Sequence, residues 1–331
     1  MNSHLKSQRI AAEITLASAM LLSAMGTAQA VPFQLGDVFA ATGSGNIQHW
    51  RSGSLLATYS TGQGGYTTGM AFDSTGNLYV TNFSAGNVTR FDNTGSVLPP
   101  NPFVTNDSSS SNESIVFDAA GNFYIGQADG TADVMKYAAD GTFLGRYDVA
   151  TEGRGSDWID LAADQKTLFY TSEGRYIKRY DVAADVQLAD FANLGGGTAY
   201  ALRLLGDGGL LVADSADIKR LDAAGNVIQT YDMAGQDNWF ALNLDPDGKT
   251  FWSGDLGSGK FAQFDIASSA LLGSYDTGCG SYCLAGLTVY GEITAGGGGG
   301  GPTAVHEPAS LALMSIGLLG MGGIRRAGNK G

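Results

Sequence analysis

The chain has 331 residues, 44% hydrophobic and 15% charged, with 49 Gly and only 7 Pro. Enough apolar material is present for a large core, disorder is excluded for most of the chain, and 14 Tyr and 15 Phe among so many glycines suit short strands and tight turns. A formal net charge of −13, from 19 Lys+Arg against 32 Asp+Glu, argues against a nucleic-acid-binding surface.

Residues 1–30 begin with Lys6 and Arg9, continue through a mostly apolar stretch at 14–25, and end Ala28-Gln29-Ala30. A basic start, a short apolar middle and an A-x-A stop predict a secretory signal peptide cut after Ala30.

From 31 to 294 the chain repeats. Gly69-Met70-Ala71-Phe72-Asp73-Ser74-Thr75-Gly76-Asn77-Leu78-Tyr79-Val80 returns as Ser114-Ile115-Val116-Phe117-Asp118-Ala119-Ala120-Gly121-Asn122-Phe123-Tyr124-Ile125, with looser copies at Leu161, Leu204 and Leu244. The spacings from Phe72 are 45, 44, 43 and 40 residues. Each copy reads as apolar strand, Asp/Gly turn and aromatic strand, a hairpin signal. A third strand follows, as in Val88-Thr89-Arg90-Phe91 or Ile218-Lys219-Arg220-Leu221, and then an outer one such as 226–231. A period in the forties with four strands per unit predicts a β-propeller. The ends are out of phase: 37–60 holds three strands without an innermost one, and 284–292 holds a lone innermost-type strand. Joined three-plus-one, they close the ring and bring the expected blades to six. Over roughly 36–293 this all-β pattern resembles NHL-type and gluconolactonase-like six-bladed propellers.

Few residues inside the ring suit catalysis. His49 is its only histidine, in a strand slot occupied elsewhere by Arg90, Lys136, Arg179 and Arg220, and it reads as a solvated polar position. A Ser-His-Asp triad or a His-based metal site is therefore not expected. Cys279 and Cys283, the only cysteines, read in an exported chain as a disulfide that pins the loop entering the closing strand, with little effect on a ligand site.

The residue just before each innermost strand faces one shared mouth. This places Thr68, Glu113, Asp157, Tyr200, Phe240 and Ala285 in a ring, with Asn112, Ser156, Asn238 and Trp239 slightly upstream. Glu113 and Asp157, on adjacent blades, either are solvated acids or share a hard cation such as Ca²⁺ through oxygen ligands. Trp158 and Trp239 are candidates for stacking on a glycan. An insertion at 99–111 lengthens the approach to the Glu113 strand. The Gly-rich strings at 195–197 and 206–209 precede no helix and read as turns.

Six glycines at 296–301 make a flexible linker, expected over 295–304. Beyond it stand His306, Glu307 and Pro308, an apolar run at 309–324, then Arg325 and Arg326. As a helix that run is about 24 Å long, short for a hydrocarbon core of about 30 Å, and its arginines hold the C-terminus on the cytoplasmic side. The 305–331 segment resembles a PEP-CTERM sorting signal, with His306 where the first proline of that motif stands. The resemblance implies a Gram-negative bacterium, an exosortase-type partner, a transient inner-membrane intermediate, and delivery to the cell surface or an exopolysaccharide matrix. The expected function is an exported binding or scaffolding module for an exopolysaccharide or a surface protein. The alternative is a divalent-cation-dependent lactonase or related hydrolase.

Overall fold

Six times over, the repeat becomes an antiparallel sheet of four strands, one of the six carrying an extra edge segment. The computed structural model describes residues 31–106 and 111–297. The expected signal peptide, the sorting motif, the 309–324 span and the rest of the linker lie outside the described residues.

Local chemistry explains the hairpins. In the turn between Thr67–Phe72 and Leu78–Asn82, Asp73 Oδ1 accepts the backbone N–H groups of Thr75 and Asn77, both at 2.9 Å. Asp118 does the same for Ala120 and Asn122, and Asp222 for Ala224 and Asn226. The fourth residue of each turn is Gly76, Gly121 or Gly225, with φ of +87°, +84° and +82°, where a side chain would be strained. Part of the acidic excess is thus turn chemistry.

Blade one holds Thr67–Phe72, Leu78–Asn82, Asn87–Phe91 and Val104–Thr105, and blade two Asn112–Phe117, Phe123–Gln127, Val134–Tyr137 and Phe143–Tyr147. Blade three holds Ile159–Leu161, Thr167–Tyr170 and Tyr176–Asp181, its edge shared between Val186–Gln187 and Ala192–Asn193. Blades four and five are Ala199–Leu204, Leu210–Asp214, Asp217–Leu221, Val227–Tyr231 and Trp239–Leu244, Thr250–Asp255, Lys260–Asp265, Leu271–Asp276. The 99–111 insertion does more than lengthen an approach, because it contains the outer strand of blade one.

The ring closes three-plus-one. Gly286–Val289 pairs antiparallel with Val38–Thr42, which continues to Asn46–Arg51 and Ser54–Ser60. Closure demands a glycine at 286. A Cβ there would lie 1.8 Å from the Thr68 carbonyl oxygen of blade one. Aromatic side chains fill the spaces between blades, as where Phe33, Phe39, Phe72 and Tyr290 meet across the seam.

His49 is a correction. It is fully buried, stacked on Phe39 with centroids 4.6 Å apart, with Nε2 2.7 Å from Asp37 Oδ2 and Nδ1 3.0 Å from the Tyr59 hydroxyl. Phe33 covers the ring at 5.3 Å. The 33–37 segment precedes the repeat and has no counterpart in other blades, so the strand alignment could not show this cover.

After the closing strand, the chain turns beneath the ring. Glu292 accepts from Arg203 Nε, Asn243 Nδ2 and the Leu244 backbone N–H, each at 2.8 Å, and so ties itself to blades four and five. Ala295 packs on the core of blades three and four, and Gln165 donates to the Gly296 carbonyl. These two residues, which the sequence assigned to the linker, are part of the underside. Between Asp160, Arg203, Thr288 and Glu292 the axial space narrows to about 10 Å³, roughly the room one water needs. At this end the buried side chains of Asp160, Arg203, Thr288 and Glu292 leave little open space.

Candidate functional site

Innermost strands all begin at the opposite end, the mouth, and four of them begin with a register shift. In blade two, Asn112 pairs with Gln127 and Ser114 with Gly126, which leaves Glu113 as the extra residue. Phe240 is left out in the same way between Trp239 and Ala241, and the shifts of blades one and four fall at Thr68 and Tyr200. A bulge of this kind re-aims a side chain out of the ladder. Here it turns Thr68, Glu113, Tyr200 and Phe240 to the axis, where with Ala285 they line a cavity of about 210 Å³.

Loops complete the wall with Tyr66, Phe83, Arg154, Glu173, Leu256 and Tyr282. Tyr282 lies inside the disulfide loop, where Cys279 and Cys283 are bridged with Cα atoms 5.9 Å apart. Its carbonyl accepts the Tyr66 hydroxyl at 2.9 Å, and its own N–H donates to the Leu256 carbonyl at 2.7 Å. The bridge therefore shapes the mouth rim, contrary to the expectation that it acts away from a ligand site.

This geometry resembles that of solved structures, a known propeller among them. A chain of a nidogen/laminin complex matches with a TM-score of 0.61 at 17% identity, over 77% of this chain and 97% of that one. The WD40 β-propeller domain of Doa1 matches with a TM-score of 0.56 at 14% identity, over 76% and 81%. The chain is a six-bladed β-propeller. Its sequence matches no family model and no curated protein. At such identities the likeness carries architecture alone.

The two expected mouth acids are not solvated. Glu113 is 2% exposed and reaches the cavity wall, whereas Asp157, 0% exposed, does not line the cavity and lies behind it. Among the described residues neither oxygen of the Asp157 carboxylate has a hydrogen-bond partner. Burial pushes both pKa values well above the usual carboxylate range, and the charge of Asp157 raises Glu113 further. Arg154 opposes both shifts, but it is engaged elsewhere. It pairs with Asp129 and, at 3.2 Å, with Glu173, and its guanidinium lies 5.6 Å from the Phe83 ring centre. Glu173 is raised by burial, and Tyr200 by burial and then by Glu173 and Asp157.

Two other expected mouth residues go elsewhere. Trp239 is fully buried in the core, edge-on to Phe264 at 5.7 Å, with Nε1 donating to Asp232 at 3.2 Å. The bulge decides this, because it gives the axis to Phe240 and turns its neighbour inward. Asn238 is half-buried, its backbone N–H 2.7 Å from Asp255 Oδ2, and it does not line the cavity. Trp158 is buried beneath the mouth against Phe240, so neither tryptophan presents a face to a glycan.

Ca²⁺ fits this lining poorly. It takes six to eight oxygen ligands, whereas the wall around Glu113 is largely aromatic. Among the described residues no three His, Cys, Asp or Glu side chains group to hold a metal. A larger concavity of about 480 Å³ lies between blades five and six, beside Trp50, Trp252 and Tyr275. Its polar groups are spent: Asp245 already accepts Trp252 Nε1, Gln263 Nε2 and the Thr250 hydroxyl, and Trp50 Nε1 donates to Gln48.

Proposed function

We propose that this propeller is an exported, surface- or matrix-associated binding module that receives its ligand at the mouth. The mouth carries the reading: a concave, largely aromatic pocket with a few converging polar groups is the usual form of a ligand site. The propeller fold is compatible with such a role. Export rests on the signal-like 1–30 segment and on the sorting-like tail, and the disulfide suits an oxidising compartment. In this reading an exosortase-type enzyme cuts near Glu307 and Pro308 while Arg325 and Arg326 hold the tail in the inner membrane. The released propeller then meets an exopolysaccharide or a surface protein.

Cell fractionation with mass spectrometry tests it. Changing Glu307 and Pro308 to Ala should leave full-length chain in the inner membrane, and Arg325→Ser with Arg326→Ser should let the tail slip through. Surface protein that still ends in an intact Gly331 would remove the sorting step and leave a simple anchor. Chain found only in the cytoplasm would end the reading.

A further inference from the structure

At the mouth, negative groups outnumber positive ones. Glu113 from blade two, Asp157 and Glu173 from blade three and Asp129 from the blade-two loop surround one cation, Arg154, and Asp129 and Glu173 already hold it. Among the described residues that leaves Glu113 and Asp157 without a paired cation, and Asp157 is fully buried with two unsatisfied oxygens. Its charge reaches both Glu113 and Tyr200, the wall residues on the blades either side of it. Burying such a group without a partner is costly.

The remaining wall limits what can complete the pair. Tyr66, Phe83, Tyr200, Phe240 and Tyr282 offer ring faces and edges. Rings attract an organic cation and also accept the alkyl chain that carries it. A bare metal ion would find two carboxylates and too few further oxygens. A carbohydrate would leave the acid pair uncompensated.

We infer that the mouth binds an alkylammonium group, its charge held by Glu113 on the cavity wall and reinforced by Asp157 buried behind it, and its methylene chain lying among the aromatic side chains. This rests on the reading of the propeller as a binding module and names the chemistry of that site. The group comes either from a free small amine or from a lysine side chain of a partner protein. With the site empty, burial and mutual repulsion favour the protonated acids, while Arg154 opposes and Glu173, Asp129 and the tyrosines Tyr66, Tyr200 and Tyr282 complete the titratable surroundings. Entry of the ammonium makes the acids ionise and releases protons to solvent. Binding therefore tightens as pH rises, up to the point where the amine itself loses its proton.

Calorimetry on the purified full chain tests this with pentylammonium chloride, the tripeptide Gly-Lys-Gly, its side-chain-acetylated form, and CaCl₂. Pentylammonium should bind saturably at about pH 8 and more weakly at about pH 5, since the acids hold more protons there. Titration in two buffers of different ionisation enthalpy should show net proton release. Glu113→Gln should weaken binding by about tenfold or more, the usual scale for losing a charged hydrogen bond, and Asp157→Asn by less, since Asp157 acts by charge from behind the wall. If the peptide binds and its acetylated form does not, the lysine source is supported; binding of pentylammonium alone supports a small amine. No amine binding to wild-type chain, binding without proton release, or unchanged binding in both folded variants would overturn the inference. So would Ca²⁺ binding lost in the same variants. Amine failure on chain correctly delivered to the surface leaves the exported-module reading standing, whereas chain never exported defeats that reading whatever the amines do.

Discussion

Glu292 on the underside and Glu113 at the mouth are buried to nearly the same degree, 6% and 2% exposed. Glu292 meets Arg203, Asn243 and a backbone N–H. Asp37, on the same side, is held by Arg51, His49 and the Gln34 N–H, which outweigh the effect of burial and keep its pKa below the usual range. Asp160 accepts from the Leu161 and Leu204 N–H groups, yet burial still pushes it up to about 6. At the mouth Asp157 has no such partners. Burial alone thus does not mark a site in this molecule; the count of partners does. The underside spends its acids on tying blades together, and the mouth leaves two unspent.

The largest expected effect comes from breaking the underside. Glu292→Ala strands Arg203, and urea unfolding of the full chain should show a loss of about 3–5 kcal/mol, the range for splitting a buried ion pair. A loss of under about 1 kcal/mol would mean the plug adds little to the ring. Next is Cys279→Ser with Cys283→Ser, which frees a short loop and should cost about 2 kcal/mol. That change also loosens Tyr282, so mouth binding should weaken with it.

Asp157→Asn should act in the opposite direction. Removing a buried acid that the unfolded chain ionises freely but the fold disfavours as an anion should raise stability by about 1 kcal/mol at about pH 8, and the gain should shrink on acidification. The subtlest difference is the sign of the pH dependence. Raised pKa values mean that the folded mouth holds more protons than the unfolded chain above the ordinary carboxylate range. Its contribution therefore falls as pH rises through that interval. Asp37, with its lowered pKa, contributes above its unfolded value and is lost as pH falls through the folded one. Melting curves from about pH 4 to pH 8 on wild-type chain and Asp157→Asn should separate the two, the variant losing the alkaline decline. Superimposed curves would mean that the mouth acids are ionised when empty.

Repetition made most of the fold legible. The recurrence of Phe72 at Phe117, Leu161, Leu204 and Leu244 set the blades, and the out-of-phase ends set the closure. The mouth ring was partly legible for the same reason, since Thr68, Glu113, Tyr200, Phe240 and Ala285 occupy one slot per period. Trp239 was misplaced because a bulge shifts alternation by one residue and leaves no mark in composition. Tyr66, Arg154, Glu173 and Tyr282 come from loops that share no period. Glu292 meets Arg203 across 89 positions, a contact no local pattern announces. The one available signal was Glu292 itself, an acid directly after an apolar closing strand.

Both ends of the ring emerge on the same side. Phe33 enters beside the blade-one turn at Asn93, its N–H 2.9 Å from the Asn93 carbonyl, and Gly296 leaves beside Gln165 of blade three. Both turns belong to the underside, across the strand length from Glu113. The described chain thus leaves the ring on the face opposite the rim. A bead, chip or fusion joined beyond that point is tethered to the far face, so its first contact with the ring is across the strand length from the mouth.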